Sequence, residues 1–452
     1  MTSAEVDVLI ERFAEHPNRE AIIWRDRATT YSALAEDVAC KRKTLEAYGI
    51  GPDSIVSIEA DFSPTGAAVF FAAASRGATI VPLTESVRDK KDRFLETAQV
   101  THRIRAASDD SLVVSATGRN VTHPLLQALQ SRGHPGLVLF SSGSTGESKA
   151  ALHDLNMILR KYERRRNSQR TLAFLLYDHI GGVNTMLHVL ANLGCMVTVD
   201  DRSPDAVLAT IAKHRVEVLP TSPTFLNMIL LSGAHTRHDL SSLTLITYGT
   251  ERMTEYTLRR LHAEVPRARL LQTYGLSEVG ILRSKSRSDD SLWVQIGGEG
   301  FDTRVVDGLL EIKAASAMLG YLNAPSPFTD DGWFQTNDQV EVDGEWVKIL
   351  GRRSEIINVG GEKVYPAEIE VVLQSIENVA DAAVYGERNA MTGMIVCADV
   401  EIQVPEDPRA VISRIRAACA TRLQRYMQPV KIRIVEHGLH GERFKKVRPL
   451  TK

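Results

Sequence analysis

Residues 137 to 149 read LVLFSSGSTGESK. An apolar run, Leu137 to Phe140, breaks into a stretch made mostly of Gly and Ser with one Thr, ending at Lys149. Small residues let backbone N–H groups come close to an anion, and hydroxyls with an ammonium add donors and positive charge. The segment therefore reads as a strand running into a phosphate-cradling loop. Ser141, Ser142, Gly143, Ser144, Thr145 and Gly146 would form the cradle, and Lys149 would add charge. It is not a Walker A loop, where the lysine directly follows the second glycine; Lys149 comes three residues after Gly146. Taken alone, such a loop is also an ordinary surface turn. Further polar residues stand in short distinctive runs: His179 in YDHIGG (177–182), Glu278 in TYGLSEVG (273–280), Asp338 in QTND, Arg352 in LGRRSE and Lys446 in RFKKVRP (443–449). The last run, on its own, is a solvated basic tail.

These residues need a scaffold, and the hydrophobic pattern supplies one. From about Leu137 to Tyr274, strand-like runs at 137–140, 171–177, 195–200, 216–220, 243–249 and 268–275 alternate with helix-like segments at 205–214, 223–231 and 255–263. Continuous apolar strands separated by helices predict a parallel sheet covered on both faces. An earlier set, 55–60 with 66–76 and then ATIVPL, predicts a second sheet or sheet half. After Gly297 alternating strands meet at Asp307-Gly308 and Asp343-Gly344, both hairpin signals. A small α+β unit with helices at 367–374 and 408–423 closes the chain. The expected fold is α/β: a large N-terminal domain of parallel-sheet α/β subdomains plus a β-rich subdomain, then a small α+β C-terminal lid domain. The boundary is placed near Arg352, dividing 1–352 from 353–452.

Composition narrows the class. The chain has 452 residues, too many for one small core, and a net charge of −2 with 43% hydrophobic residues. That balance gives no support to nucleic-acid binding. Cys40, Cys195, Cys397 and Cys419 form no CxxC pair, which argues against a zinc site or disulfide framework and fits a reducing compartment. The N-terminus is acidic where a signal peptide is basic, and no run of about 18 uncharged apolar residues exists. The expected location is the cytoplasm.

Taken together, the five motifs SSGSTGESK (141–149), YDHIGG (177–182), TYGLSEVG (273–280), the 332–370 segment and RFKKVRP (443–449) resemble those of the adenylate-forming superfamily. This group includes acyl-CoA synthetases, peptide-synthetase adenylation domains and luciferases. The resemblance covers nearly the whole chain in the family's order. It implies that a carboxylate attacks the α-phosphate of ATP to form an acyl-adenylate and pyrophosphate, and that a thiol then displaces AMP. ATP, Mg²⁺ and coenzyme A, or the phosphopantetheine of an acyl carrier protein supplied in trans, are the expected cofactors. A homodimer is admitted but not required.

The resemblance also assigns roles. The 141–146 loop would wrap the β- and γ-phosphates, Glu278 would ligate magnesium, and Ser277 stands where threonine is usual. Tyr274, beside Gly275, would stack on adenine, while Asp338 would accept from the ribose hydroxyls and Arg352 would pair with ribose or phosphate. Asn337 replaces a glycine, a change asparagine tolerates because it adopts positive φ. Lys446 is the candidate catalytic lysine; Lys445 stands where the family has glycine and is the fallback. His179 would gate the acid pocket, with Asp178 as a structural partner; a one-residue shift would instead make Asp178 an amino-acid-binding aspartate. Ser354 takes the hinge position. Gly360 and Gly361 would face the site in the second step. The run Tyr248, Gly249, Thr250 replaces a Gly-Gly pair and joins the binding residues; Tyr248 would fill the pocket floor and favour short, branched or aromatic acids. A basic helix at 160–166 is weighed as a coenzyme A phosphate site against a solvated face. The leading expectation is a carboxylic (fatty or aryl) acid–CoA ligase. The alternatives are an acyl-AMP ligase loading a carrier protein and a stand-alone amino-acid adenylation enzyme.

Overall fold

The computed structural model describes residues 4–107, 109–141, 147–298, 300–436, 439–441, 444, 446 and 448. Among these, two seven-stranded sheets and a six-stranded sheet precede a smaller five-stranded one. The first large sheet runs in the order Arg269–Gln272, Leu245–Tyr248, Val218–Thr221, Arg170–Leu172, Cys195–Val197, Glu20–Trp24, Arg27–Thr30, with only the last strand antiparallel. In the second, the parallel strands Gly136–Ser141, Thr79–Leu83, Ile55–Glu59 and His102–Ala106 are flanked by antiparallel edges.

One expectation is corrected here. Residues 137–140 were grouped with the strands of 171–275, but they belong to the sheet of the earlier set, next to Thr79–Leu83. Hydrophobic runs reveal strands without revealing which sheet recruits them. The strand expected over 171–177 ends at Leu172. Residues 173–177 leave the sheet to form the approach to His179.

Helices join the sheets into layers. Pro64–Ser75 and Ile180–Ala191 are buried along nearly their whole length, in one core with Ile22 and Met196 of the first sheet and Val56, Ile80 and Leu137 of the second. A helix apolar on all sides belongs between two sheets. Ser63 and Pro64 start the first of these helices, the Ser63 hydroxyl accepting from Gly66 N–H and Pro64 at a first-turn position. The helices Pro204–His214, Pro223–Ser232 and Glu255–Glu264 cover the outer face of the first sheet.

The six-stranded sheet is antiparallel and contains both predicted hairpins, Phe301–Val306 with Leu309–Ala314 and Phe334–Asp343 with Trp346–Arg352. After the short turn Arg353–Glu355, residues 357–435 build the five-stranded sheet, with Pro366–Gln374 and Pro408–Arg422 packed on a separate core. The expected basic helix is not formed: Leu155–Leu159 is helical, Arg160–Tyr162 tightens to a 3-10 turn, and Lys161 bonds to Asn184 while Arg165 pairs with Glu15.

Candidate active site

A cavity of about 700 Å³ opens where the carboxyl ends of the parallel strands meet the small sheet. This is the end of an open α/β sheet where ligands are expected. Its wall includes Ser141, Lys149, His179, Thr250, Tyr274, Gly275, Ser277, Glu278, Asp338, Arg352 and Lys446. Residues from five separate sequence motifs thus converge on one space. Ser142, Gly143, Ser144, Thr145, Gly146 and Lys445 lie outside the described residues. The base of their loop is set by Ser141 facing Lys149 across an antiparallel pair. The segment 319–323 fastens that base: Asn323 accepts from Ala150 N–H and donates to the Ser148 carbonyl.

One wall is a polar chain. The Tyr274 hydroxyl donates to Asp338 Oδ2 at 2.5 Å, and Arg352 Nε lies 3.3 Å from Asp338 Oδ1. Asp338 and Arg352 are register partners in the hairpin that turns at Gly344, so the turn chemistry fixes a 14-residue separation as a cross-strand neighbour. Asn337 adopts φ +60°, as its residue type permits. Burial lifts the Asp338 carboxyl above its ordinary range, although Arg352 and the Tyr274 hydroxyl oppose the shift.

A second group surrounds Glu278. Tyr321 donates to Glu278 Oε1 at 2.6 Å, and Lys149 Nζ sits 5.2 Å from the centroid of the Tyr321 ring. The loop carrying Ser277 and Glu278 is propped by His153, whose buried Nε2 donates to the Ser277 carbonyl at 2.6 Å. Because a carbonyl only accepts, Nε2 carries a proton. Burial lowers the His153 pKa to about 4. His153 and Tyr321 escape sequence reading because each sits in a plain strand segment and acts only after folding brings it to a distant motif.

His179 caps the helix Ile180–Ala191, its Nδ1 accepting from Gly181 N–H at 3.2 Å. The ring lines the cavity. The glycines after it are demanded by packing: a Cβ on Gly182 would fall 1.9 Å from the Leu176 carbonyl oxygen. Asp178 turns the other way, is buried, and accepts from the Thr84 hydroxyl at 3.0 Å. It is not among the described residues that line the cavity. Thr250 does line it, with φ +72° and a buried hydroxyl that has no hydrogen-bond partner among the described residues. A β-branched residue held there carries about 1–3 kcal/mol of strain, which is found mostly at functional positions.

The expectation for Tyr248 and Gly249 is corrected. Tyr248 is 1% exposed and packs in the core beneath the outer helices, and neither it nor Gly249 lines the cavity. The alternation of a strand sends Tyr248 to the same face as Ile246, away from the site, so it does not form a pocket floor. Gly360 and Gly361, expected to face the site only in the second step, are exposed at a hairpin tip outside the cavity in this arrangement.

The tail reaches the cavity instead. Lys446 N–H donates to Glu251 Oε2 at 3.0 Å, and its Nζ lies 2.8 Å from both Asp381 Oδ1 and the Ala382 carbonyl. Glu251, which also accepts from Thr224 N–H at 2.7 Å, gave no sequence signal beyond its place after Thr250.

Comparison with known proteins agrees with this convergence. Residues 9–307 match the AMP-binding enzyme family and residues 368–443 match the AMP-binding enzyme C-terminal domain. The chain belongs to the AMP-binding enzyme family. It is an adenylate-forming, AMP-forming acid–thiol ligase of the acyl-CoA synthetase type. This AMP-binding enzyme is 28% identical to an indoleacetate–CoA ligase of Aromatoleum aromaticum, over 95% of this chain and 94% of the relative. It is 25% identical to a 2-succinylbenzoate–CoA ligase of Listeria monocytogenes, over 95% of each. Its fold superimposes on an anthranilate CoA ligase crystallised with anthranoyl-AMP at a TM-score of 0.81 and 18% identity, covering 96% of this chain and 94% of that one. No helix among the described residues is long and apolar enough to cross a membrane.

Proposed function

We propose that this AMP-binding enzyme is an aryl-acid–CoA ligase. It would join ATP to an aromatic carboxylic acid as an acyl-adenylate with release of pyrophosphate, then pass the acyl group to coenzyme A with release of AMP. The observation that carries the reading is the shared cavity of Tyr274, Asp338, Arg352, Glu278, His179 and the tail. The aromatic preference is supported by the acids named for its relatives, indoleacetate and 2-succinylbenzoate.

The residues present fit ATP. Asp338, buried and already oriented by Tyr274 and Arg352, would accept from ribose hydroxyls, and Tyr274 would stack on adenine. Glu278 keeps lone pairs beyond the one that accepts Tyr321, enough to help hold a magnesium ion that arrives with phosphate oxygens. That ion would neutralise phosphate charge. The chain's own contribution is placement: His179, fixed by its cap bond, and strained Thr250 bound the acid's side of the cavity, while Lys149 and Arg352 add positive charge near the phosphates. A lysine of the Lys445-Lys446 pair would offset the charge that builds between the attacking carboxylate and the α-phosphate. The division into 1–352 and 353–452 would let the smaller part turn about Arg353–Glu355 between the two steps, bringing Gly360 and Gly361 to the thiol path.

The test is acid-dependent ATP–pyrophosphate exchange over a panel of aromatic, short and long-chain acids, followed by thioester formation with coenzyme A or a holo-carrier protein. Exchange with aryl acids and thioester formation with coenzyme A are expected. Palmitate as the best acid would overturn the substrate class, and a carrier protein as the sole acceptor would overturn the thiol.

A further inference from the structure

The tail that reaches the cavity is a tight hairpin. Phe444 N–H donates to the Gly441 carbonyl at 2.9 Å, and His440 pairs antiparallel with Lys446. One side of this hairpin is fixed to the large part of the molecule. The Phe444 ring packs 5.2 Å from Phe174 and 5.3 Å from Phe225, and its carbonyl accepts from the Ser222 hydroxyl at 2.7 Å. The other side is fixed to the small part through two buried acids. Asp381 takes Lys446 on Oδ1 at 2.8 Å and His440 on Oδ2 at 3.2 Å. Glu370 receives Arg448 on both oxygens at 3.0 Å, with Lys446 Nζ 3.6 Å away.

The Lys446 ammonium is therefore committed. Its side chain is 10% exposed, and its bonds are to Asp381 and the Ala382 carbonyl. Withdrawing it would leave the buried Asp381 carboxylate short of its main counter-charge, a costly outcome for a buried acid. The backbone carries a second observation. Phe444 has φ +48°, a left-handed conformation that glycine adopts freely and phenylalanine rarely does. A glycine-like position thus falls at 444, one residue earlier than the spacing to Lys446 assumes.

We propose that Lys446 is the anchor of the tail hairpin, a positioning residue clamped by Asp381 and Glu370, and that it is not the lysine that meets the phosphate. The inference rests on the ligase reading above, and it leaves the charge-offsetting role to Lys445, the residue that follows Phe444.

Two measurements on the full chain decide it. The first is a cycle of Lys446→Met, Asp381→Asn and the double variant in ATP–pyrophosphate exchange, with Lys445→Met and Lys446→Arg alongside. An anchor predicts that both single variants lose about 10-fold, the scale of lost orientation, that the double loses no more, and that arginine restores most of the rate. Lys445→Met should lose about 100- to 1,000-fold, as removal of a transition-state charge does. The second is amide hydrogen exchange over 439–448, which should lose protection in Lys446→Met and Asp381→Asn. Lys446→Met abolishing exchange activity while Asp381→Asn stays at the wild-type rate would overturn the proposal. So would unchanged protection of the tail. A wild-type enzyme that exchanges with no acid refutes the ligase reading instead, and the protection measurement still judges the anchor.

Discussion

Asp338 faces Arg352 and accepts from Tyr274 because one hairpin register and one strand end place them together. Asp338→Asn keeps the shape and removes the charge. Kinetics at varied ATP should show kcat/KM for ATP falling about 10- to 100-fold, the worth of about 1.5–3 kcal/mol for a hydrogen bond to a charged group. The KM for the acid should hardly change. Tyr248 gives the opposite expectation. As a core side chain with 1% exposure, its replacement by alanine should cost about 3–5 kcal/mol of stability, the usual range for an aromatic-to-alanine cavity. Denaturant unfolding would show that loss, while the profile of accepted acid chain lengths stays where it was. The motif residues Asp338, Arg352, Glu278 and His179 were legible because their types and order are unusual. Tyr248 was misread because sequence shows a bulky residue near a motif but not the strand face it occupies.

The loop 273–281 that presents Tyr274, Ser277 and Glu278 has little regular structure of its own and depends on neighbouring elements. His153, in the strand Lys149–Asp154, holds it through the Ser277 carbonyl. With its pKa lowered to about 4 by burial, against 6.5 when unfolded, this histidine binds fewer protons folded than unfolded between those values. Stability should therefore be full above about pH 6.5 and fall as the pH drops toward 4, by up to about 3 kcal/mol. Urea melts at stepped pH would reveal the slope, and His153→Gln should flatten it. Tyr321 acts on the same loop from the strand Gly320–Tyr321. Removing its hydroxyl with Tyr321→Phe should raise the magnesium–ATP requirement of pyrophosphate exchange, by about 10-fold on the scale of a bond to a carboxylate. Helix and strand limits were largely legible from periodicity, as at Pro223–Ser232 and Glu255–Glu264. Sheet membership was not, since Gly136–Ser141 joined a sheet that its apolar pattern could not specify.

For the whole molecule, the arrangement puts the tail at the cavity and leaves Gly360 and Gly361 exposed. If the two reaction steps use different faces of the small part, stiffening the connection should separate them. Ser354→Pro fixes φ in the short turn Arg353–Glu355 and removes an N–H. Pyrophosphate exchange should persist within a few-fold, while thioester formation from supplied acyl-adenylate falls by about 10-fold or more. Equal loss in both assays would argue against a turn at this hinge.

The sequence by itself determined the class of chemistry and most of the parts. A glycine- and hydroxyl-rich run after an apolar strand, a histidine before paired glycines and a carboxylate in a polar run are residue types suited to holding anions and to close backbone packing. The order of motifs then identified the superfamily. Tertiary structure decided which side chains share a space. It turned Asp178 to Thr84 and His179 to the cavity, buried Tyr248, brought His153 and Tyr321 to a loop more than forty residues away in sequence, and tied Lys446 to Asp381. Those outcomes depend on strand face, sheet recruitment and the pairing of buried charges across long separations, none of which a local run of residues encodes.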